Sequence, residues 1–288
     1  MLERLGEEAC QALQRAYAYD PAISLAARIV EKREYDDRVR EKVVFRGARG
    51  YLVPGYFERP LSPQGPLPCV LLLHGWSGSK TSWWQDDNYI SGGNLRRALL
   101  KAGSAVLALD AQGHGERVAE NNYALPNPHV EEGQEPRKGF FTQQDIYVQT
   151  VVDYRRALDY LETRTDVDAT RIAAAGYSMG GTQVFPLLAL EPRIRTAVAG
   201  VVPAERNKWS LIAPQNFTRS IGTRPLLMAM GREDSMCRPE EAEALFEYLE
   251  GSSSRLIFFE AGHRLPADYA RPAAAWIIEH LGDGQGSD

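Results

Sequence analysis

The sequence predicts an α/β fold: a mostly parallel sheet of eight strands, opened by an antiparallel hairpin and covered by helices on both faces. Three observations carry this reading. After residue 68, apolar runs of strand length alternate with segments of helical period, the pattern of parallel strands joined by crossover helices. Cys69-Val70-Leu71-Leu72-Leu73 is apolar without alternation, as a strand buried on both faces must be. A further run, Arg171 to Ala175, leads directly into Gly176-Tyr177-Ser178-Met179-Gly180 and then a helical segment, giving strand, tight turn and helix in that order.

The elements follow in order. Residues 2 to 34 read as helix, with Leu2, Leu5, Ala9, Leu13 and Ala16 at helical spacing and Pro21 separating a second segment around Ile23 to Val30. Residues 1–37 are therefore expected to form a helical extension packed on the core, with contact to a second copy in a homodimer as the alternative. Residues 38–288 form the main domain. From Arg38 the pattern alternates, through Val39, Val43 and Phe45 and then Tyr51, Val53 and Tyr56, with Gly47-Ala48-Arg49-Gly50 between, which predicts a hairpin. Pro60 to Pro68 is a loop. Helix is expected near Asn94 to Ala102, strand over Ser104 to Leu109 and helix over Gln143 to Glu162. Between the last two, residues 116–141 form an insertion of a length that is usually functional or mobile. Helix after Ser178 continues to Leu190 through Pro186, and strands follow at Thr196 to Val201 and Pro225 to Met230. Residues 203–223 between them are too few for a large lid domain. Helix at Glu240 to Leu249, strand at Arg255 to Glu260 and helix at Pro266 to Leu281 complete the chain.

Composition bounds the function. The chain has 288 residues, 44% hydrophobic and 25% charged, ordinary for a globular protein. A net charge of -5 gives no basic footprint for nucleic acid and no attraction to anionic lipid. Cys10, Cys69 and Cys237 are few, odd in number and outside C-x-x-C spacing, which fits a reducing compartment. Residues 1–8 are acidic and amphipathic, unlike a secretory signal, and no segment reaches the apolar length of a membrane span. A cytoplasmic protein is expected.

G-x-S-x-G between a buried strand and a helix is the pattern of a nucleophile elbow. Average residue usage would supply the five-residue pattern in roughly one chain in ten of this length, so its partners must carry the assignment. A serine hydroxyl needs a base, and the base needs a carboxylate to fix its tautomer. Of five histidines, only His263 follows a strand, is preceded by glycine and comes late in the chain. The strand before it ends in Met230-Gly231-Arg232-Glu233-Asp234, which supplies Asp234 as the carboxylate and Glu233 as the alternative. The order Ser178, Asp234, His263 is one of the known orders of a catalytic triad.

With His74-Gly75-Trp76 after the Cys69 to Leu73 strand and Gly176 to Gly180 as elbow, residues 40 to 282 resemble an α/β-hydrolase. Within that superfamily the chain is similar to the dienelactone hydrolase and acetyl xylan esterase branch. The grounds are the D-x-x-G-x-G turn at Asp110 to Gly115, the lack of a long lid insertion and the Gly-Tyr-Ser-Met-Gly-Gly elbow. Dienelactone hydrolases carry cysteine where this chain has Ser178, which favours an ordinary ester hydrolase. The resemblance implies an oxyanion hole made by the backbone N–H groups of Met179 and Trp76, each donor worth roughly 10²–10³-fold in rate. It gives His74 a structural role in holding that loop.

Tyr177, Trp83, Trp84 and Trp209 are candidates for a substrate pocket, beside Trp76. Asp86-Asp87 lacks histidines at ligand spacing, and Gly113-His114-Gly115-Glu116-Arg117-Val118 lacks the third glycine of a dinucleotide fingerprint; no metal and no cofactor are expected. The expected activity is hydrolysis of small to medium carboxylic esters through an acyl-enzyme. Two alternatives stand beside it: amide or peptide hydrolysis, because the elbow is also similar to that of prolyl-oligopeptidase catalytic domains, and a non-catalytic binding protein on the same fold.

Overall fold

The computed structural model describes residues 2–122, 141–249 and 253–282. Among the described residues nine strands form one sheet: β1 Arg28–Glu34, β2 Arg38–Arg46, β3 Leu52–Pro60, β4 Leu67–Leu73, β5 Ala105–Leu109, β6 Val167–Tyr177, β7 Ile194–Gly200, β8 Leu226–Gly231 and β9 Arg255–Phe259. Across the sheet they run β1-β2-β3-β5-β4-β6-β7-β8-β9. β1, β2, β3 and β5 pair antiparallel in succession, and every pair from β5 through β4 to β9 is parallel. The parallel strands therefore end on one edge, where an open α/β sheet places its ligands.

The main helices are α1 Glu7–Gln14, α2 Gly92–Lys101, α3 Gln143–Glu162, α4 Met179–Leu190, α5 Thr218–Ile221, α6 Pro239–Glu247 and α7 Ala270–Leu281. Side chains alternate across the pleat, and β4 shows the result. Cys69, Leu71 and Leu73 enter one core with Val151, Leu158, Val184 and Leu188 of α3 and α4. Val70 and Leu72 enter the other with Leu95, Leu99, Ala273 and Ile277 of α2 and α7. Both faces of the strand are thus consumed, which is why its sequence is a continuous apolar run. α4 is buried from Met179 to Leu188 and continues through Pro186. It is apolar all round because it is packed all round.

The N-terminal expectation needs correction, and with it the strand count. Helix is present over Glu7–Gln14, followed by a single 3₁₀ turn to Tyr17, but Arg28–Glu34 is a ninth strand, antiparallel to β2. Every residue of β1 is exposed, so no in-out alternation marked it. Strand pairing, with the β-branched Ile29 and Val30 as the local cue, overrides the apparent helical spacing. The segment before β1 packs on the 203–223 region. Tyr17 Oη donates to the Leu211 carbonyl at 2.7 Å, and its ring meets Phe217 edge-on at 5.5 Å.

Most of the 116–141 insertion, including His129, lies outside the described residues. Among the described residues no helix is long and apolar enough to cross a membrane. All three cysteines are buried free thiols.

Candidate active site

Ser178 joins β6 to α4 with φ 56° and ψ -112°, a conformation that costs a non-glycine residue about 1–3 kcal/mol. The surrounding glycines explain how the turn closes. A Cβ at Gly176 would stand 2.1 Å from the Gly180 carbonyl oxygen, and one at Gly180 would stand 2.1 Å from that of Leu73. Both obstacles are backbone, so neither can rotate away. The Ser178 N–H donates to the Gly200 carbonyl at 2.9 Å, pinning the tip to β7 while the hydroxyl faces outward.

β8 and β9 deliver the partners. The turn after β8 and the loop after β9 are tied by backbone bonds from Arg232 N–H to Phe259 O (2.9 Å) and from Glu233 N–H to Ala261 O (3.0 Å). This places His263 Nδ1 2.8 Å from Asp234 Oδ2 and His263 Nε2 2.8 Å from Ser178 Oγ. The Asp234 side chain is fully buried, and its Oδ1 accepts the Met236 N–H at 2.8 Å. Glu233, the alternative carboxylate, is exposed and has no part in this chain of bonds.

The loop after β4 is held at both ends. His74 Nε2 accepts the Ala111 N–H at 3.0 Å, so its proton is on Nδ1, which donates to the Gly75 carbonyl at 2.8 Å. A protonated ring could not accept that N–H, and burial pushes the His74 pKa down to about 4. At the other end, buried Lys80 places Nζ 2.6 Å from both Asp110 Oδ2 and Glu116 Oε1. Asp110 also accepts the N–H groups of Lys80 (2.8 Å) and Glu116 (3.0 Å). Gly115, at φ +54°, lies so close that a Cβ would be 2.3 Å from this carboxylate. The D-x-x-G-x-G turn is thereby explained: its aspartate clamps the loop and its last glycine makes room. Trp76 is carried on the loop so fixed. Met179 opens α4, where its N–H has no intrahelical acceptor.

A cavity of 480 Å³ opens over Ser178 and His263, walled by Trp76, Tyr89, Tyr147, Pro203 and Met236. Of the expected pocket aromatics other than Trp76, none lines it. Tyr177 is buried behind the elbow, with Oη bonded to the His263–Leu265 backbone. Trp83 is buried in the α2/α7 core. Trp84 donates from Nε1 to Glu58 at 3.2 Å. Trp209 is 65% exposed to solvent. Burial in the second core claims large rings such as Trp83 and Tyr177 as readily as a pocket does. Tyr89, Tyr147 and Met236 carry no motif; only the position of Met236 two residues after Asp234 could have suggested it. Asp86 pairs with Arg97 at 2.5 Å.

Known proteins share this fold. The chain is 29% identical over 170 residues to YtaP of Bacillus subtilis, provisionally named a hydrolase; the match covers 58% of this chain and about half, 53%, of that relative. Its fold matches an acetyl xylan esterase from Paenibacillus sp. R4 (TM-score 0.70, 22% identity, 97% of this chain and 96% of that one). It also matches acetyl xylan esterase 1 from Thermoanaerobacterium sp. JW/SL YS485 (TM-score 0.74, 17% identity, 97% and 95%). A glucuronoyl esterase from Solibacter usitatus aligns with TM-score 0.66 at 14% identity over 95% and 92% of the two chains. Residues 70–285 match the alpha/beta hydrolase family, and the chain belongs to that family.

Proposed function

We propose that this chain is a carboxylic ester hydrolase that works through an acyl-enzyme on Ser178. The observation that carries the reading is the continuous bond chain from Ser178 Oγ through His263 to buried Asp234, at the floor of a cavity. His263 Nε2 takes the Ser178 proton as Oγ attacks the ester carbonyl, and Asp234 stabilises the imidazolium. The N–H groups of Trp76 and Met179 receive the developing oxyanion. His263 then protonates the leaving alcohol, and a water activated by the same nitrogen releases the acid.

Among the described residues the cavity wall favours small to medium neutral esters, because three aromatic rings, a proline and a methionine offer apolar contact and the polar Ser77 and Gln143 beside them carry no charge. The esterases among the structural neighbours support the same reaction class. A complete bond chain also speaks against a binding protein that has lost its chemistry. Assay of Ser178→Ala on p-nitrophenyl acetate and butyrate tests the proposal. Turnover is expected to fall by at least about 10⁴-fold, and undiminished turnover refutes it.

A further inference from the structure

Tyr177 precedes Ser178, yet its side chain turns away from the cavity and is buried. Its Oη accepts the Leu265 N–H at 2.8 Å and donates to the His263 carbonyl at 3.3 Å. The ring is wedged between Tyr89 (5.6 Å) and Tyr269 (5.5 Å). Burial pushes its pKa up to about 12, so the phenol is neutral and can donate and accept at once. The other bonds of the 261–265 loop lead elsewhere: Ala261 to the turn of Asp234, and Arg264 to the Asp87 carbonyl. The Ala261 bond sets His263 relative to its carboxylate, and the Arg264 bond ties the loop to the segment of Asp87. Apart from the Oγ–Nε2 bond itself, the Tyr177 hydroxyl is the hydrogen bond, among the described residues, that joins the strand bearing Ser178 to the loop bearing His263.

We propose that Tyr177 is a positioning residue, whose hydroxyl sets the register between the nucleophile and its base by clamping the backbone on either side of Arg264. The inference rests on the ester-hydrolase reading above. Misplacement of reacting groups by about 1 Å can cost roughly 10²-fold in rate, so loss of one of two constraints on that distance should be visible in kcat and not in substrate binding.

The test compares Tyr177→Phe with Tyr269→Phe on p-nitrophenyl butyrate, with Tm measured for both. Tyr269 Oη donates to the Ile90 carbonyl at 2.7 Å in the same aromatic cluster, so its variant reports the general effect of deleting a buried tyrosine bond. Tyr177→Phe is expected to lower kcat roughly tenfold with KM within about twofold, while Tyr269→Phe keeps kcat despite a similar fall in Tm. A wild-type kcat in Tyr177→Phe, or equal kcat losses in both variants, overturns the proposal. If Tyr177→Phe does not fold, amide exchange in the wild-type protein decides: slow exchange at Leu265 supports the clamp, and exchange at the rate of an unbonded amide overturns it. Fluorophosphonate labelling separates the two readings. Wild-type protein unlabelled at Ser178 refutes the hydrolase reading, whereas labelled wild type with an unimpaired Tyr177→Phe refutes only the positioning role.

Discussion

Asp234 and His263 stand on different loops, 29 residues apart, yet the Asp234 carboxylate is buried with Oδ2 2.8 Å from His263 Nδ1. The adjacent carboxylate, Glu233, faces solvent. One residue of turn geometry separates a group that can orient an imidazole from one that cannot.

Asp234→Asn should therefore lower kcat/KM by roughly 10³–10⁴-fold, because an amide N–H facing Nδ1 favours the tautomer whose Nε2 cannot accept the serine proton. Its Oδ1 can still accept the Met236 N–H, so the variant should stay folded. Glu233→Gln should remain within about twofold of wild type. Kinetics on both variants check this, and the reverse ranking would reassign the carboxylate.

His74 gives a pH prediction. In the unfolded chain its ring protonates near pH 6.5, but in the fold it stays neutral down to about 4. Between those values the unfolded chain binds the extra proton. The contribution of His74 is therefore complete above about pH 6.5 and is lost as pH falls toward 4, an effect on the order of a few kcal/mol. Urea unfolding at about pH 7.5 and about pH 4.5 should show His74→Asn less stable than wild type at the higher pH and less affected by acidification. Equal acid losses would contradict the assignment.

The elbow makes a steric prediction. Gly176→Ala or Gly180→Ala places a Cβ 2.1 Å from a backbone oxygen, and should destabilise the protein by about 3 kcal/mol or more and abolish turnover. Gly65→Ala, which meets nothing within 4 Å, should leave Tm unchanged or slightly raised. Thermal melts of the three proteins distinguish steric closure from a general intolerance of alanine.

Specificity should follow the cavity wall. Tyr147→Ala enlarges the wall of the cavity over Ser178 and should shift the kcat/KM ratio of octanoate to butyrate esters upward by roughly tenfold, the scale of a few methylene contacts. Trp209→Ala, at an exposed ring outside that cavity, should leave the ratio within about twofold. A substrate panel across both variants is the check.

The legibility of these features in the sequence divides along physical lines. β4 and the second half of β6 were readable because burial on both faces forces an apolar run, and the elbow because backbone oxygens exclude any side chain at Gly176 and Gly180. The candidate pair Asp234 and His263 was readable because each follows a strand at one edge of a parallel sheet. β1 was not, since its residues are exposed on both faces and only pairing with β2 defines it. The pocket was not, since Tyr89 and Tyr147 reach it through loop and helix packing that no spacing encodes. Tyr177 shows both sides: its place in the elbow was evident, and the direction of its ring was not.

The most direct test of the account is to trap the intermediate: rapid quenching during p-nitrophenyl ester turnover, followed by mass spectrometry of the peptide containing Ser178. The account predicts an acyl adduct on Ser178 that forms with the alcohol burst and decays with release of acid. Continued ester turnover with Ser178 unmodified, or an adduct on another residue, would contradict it.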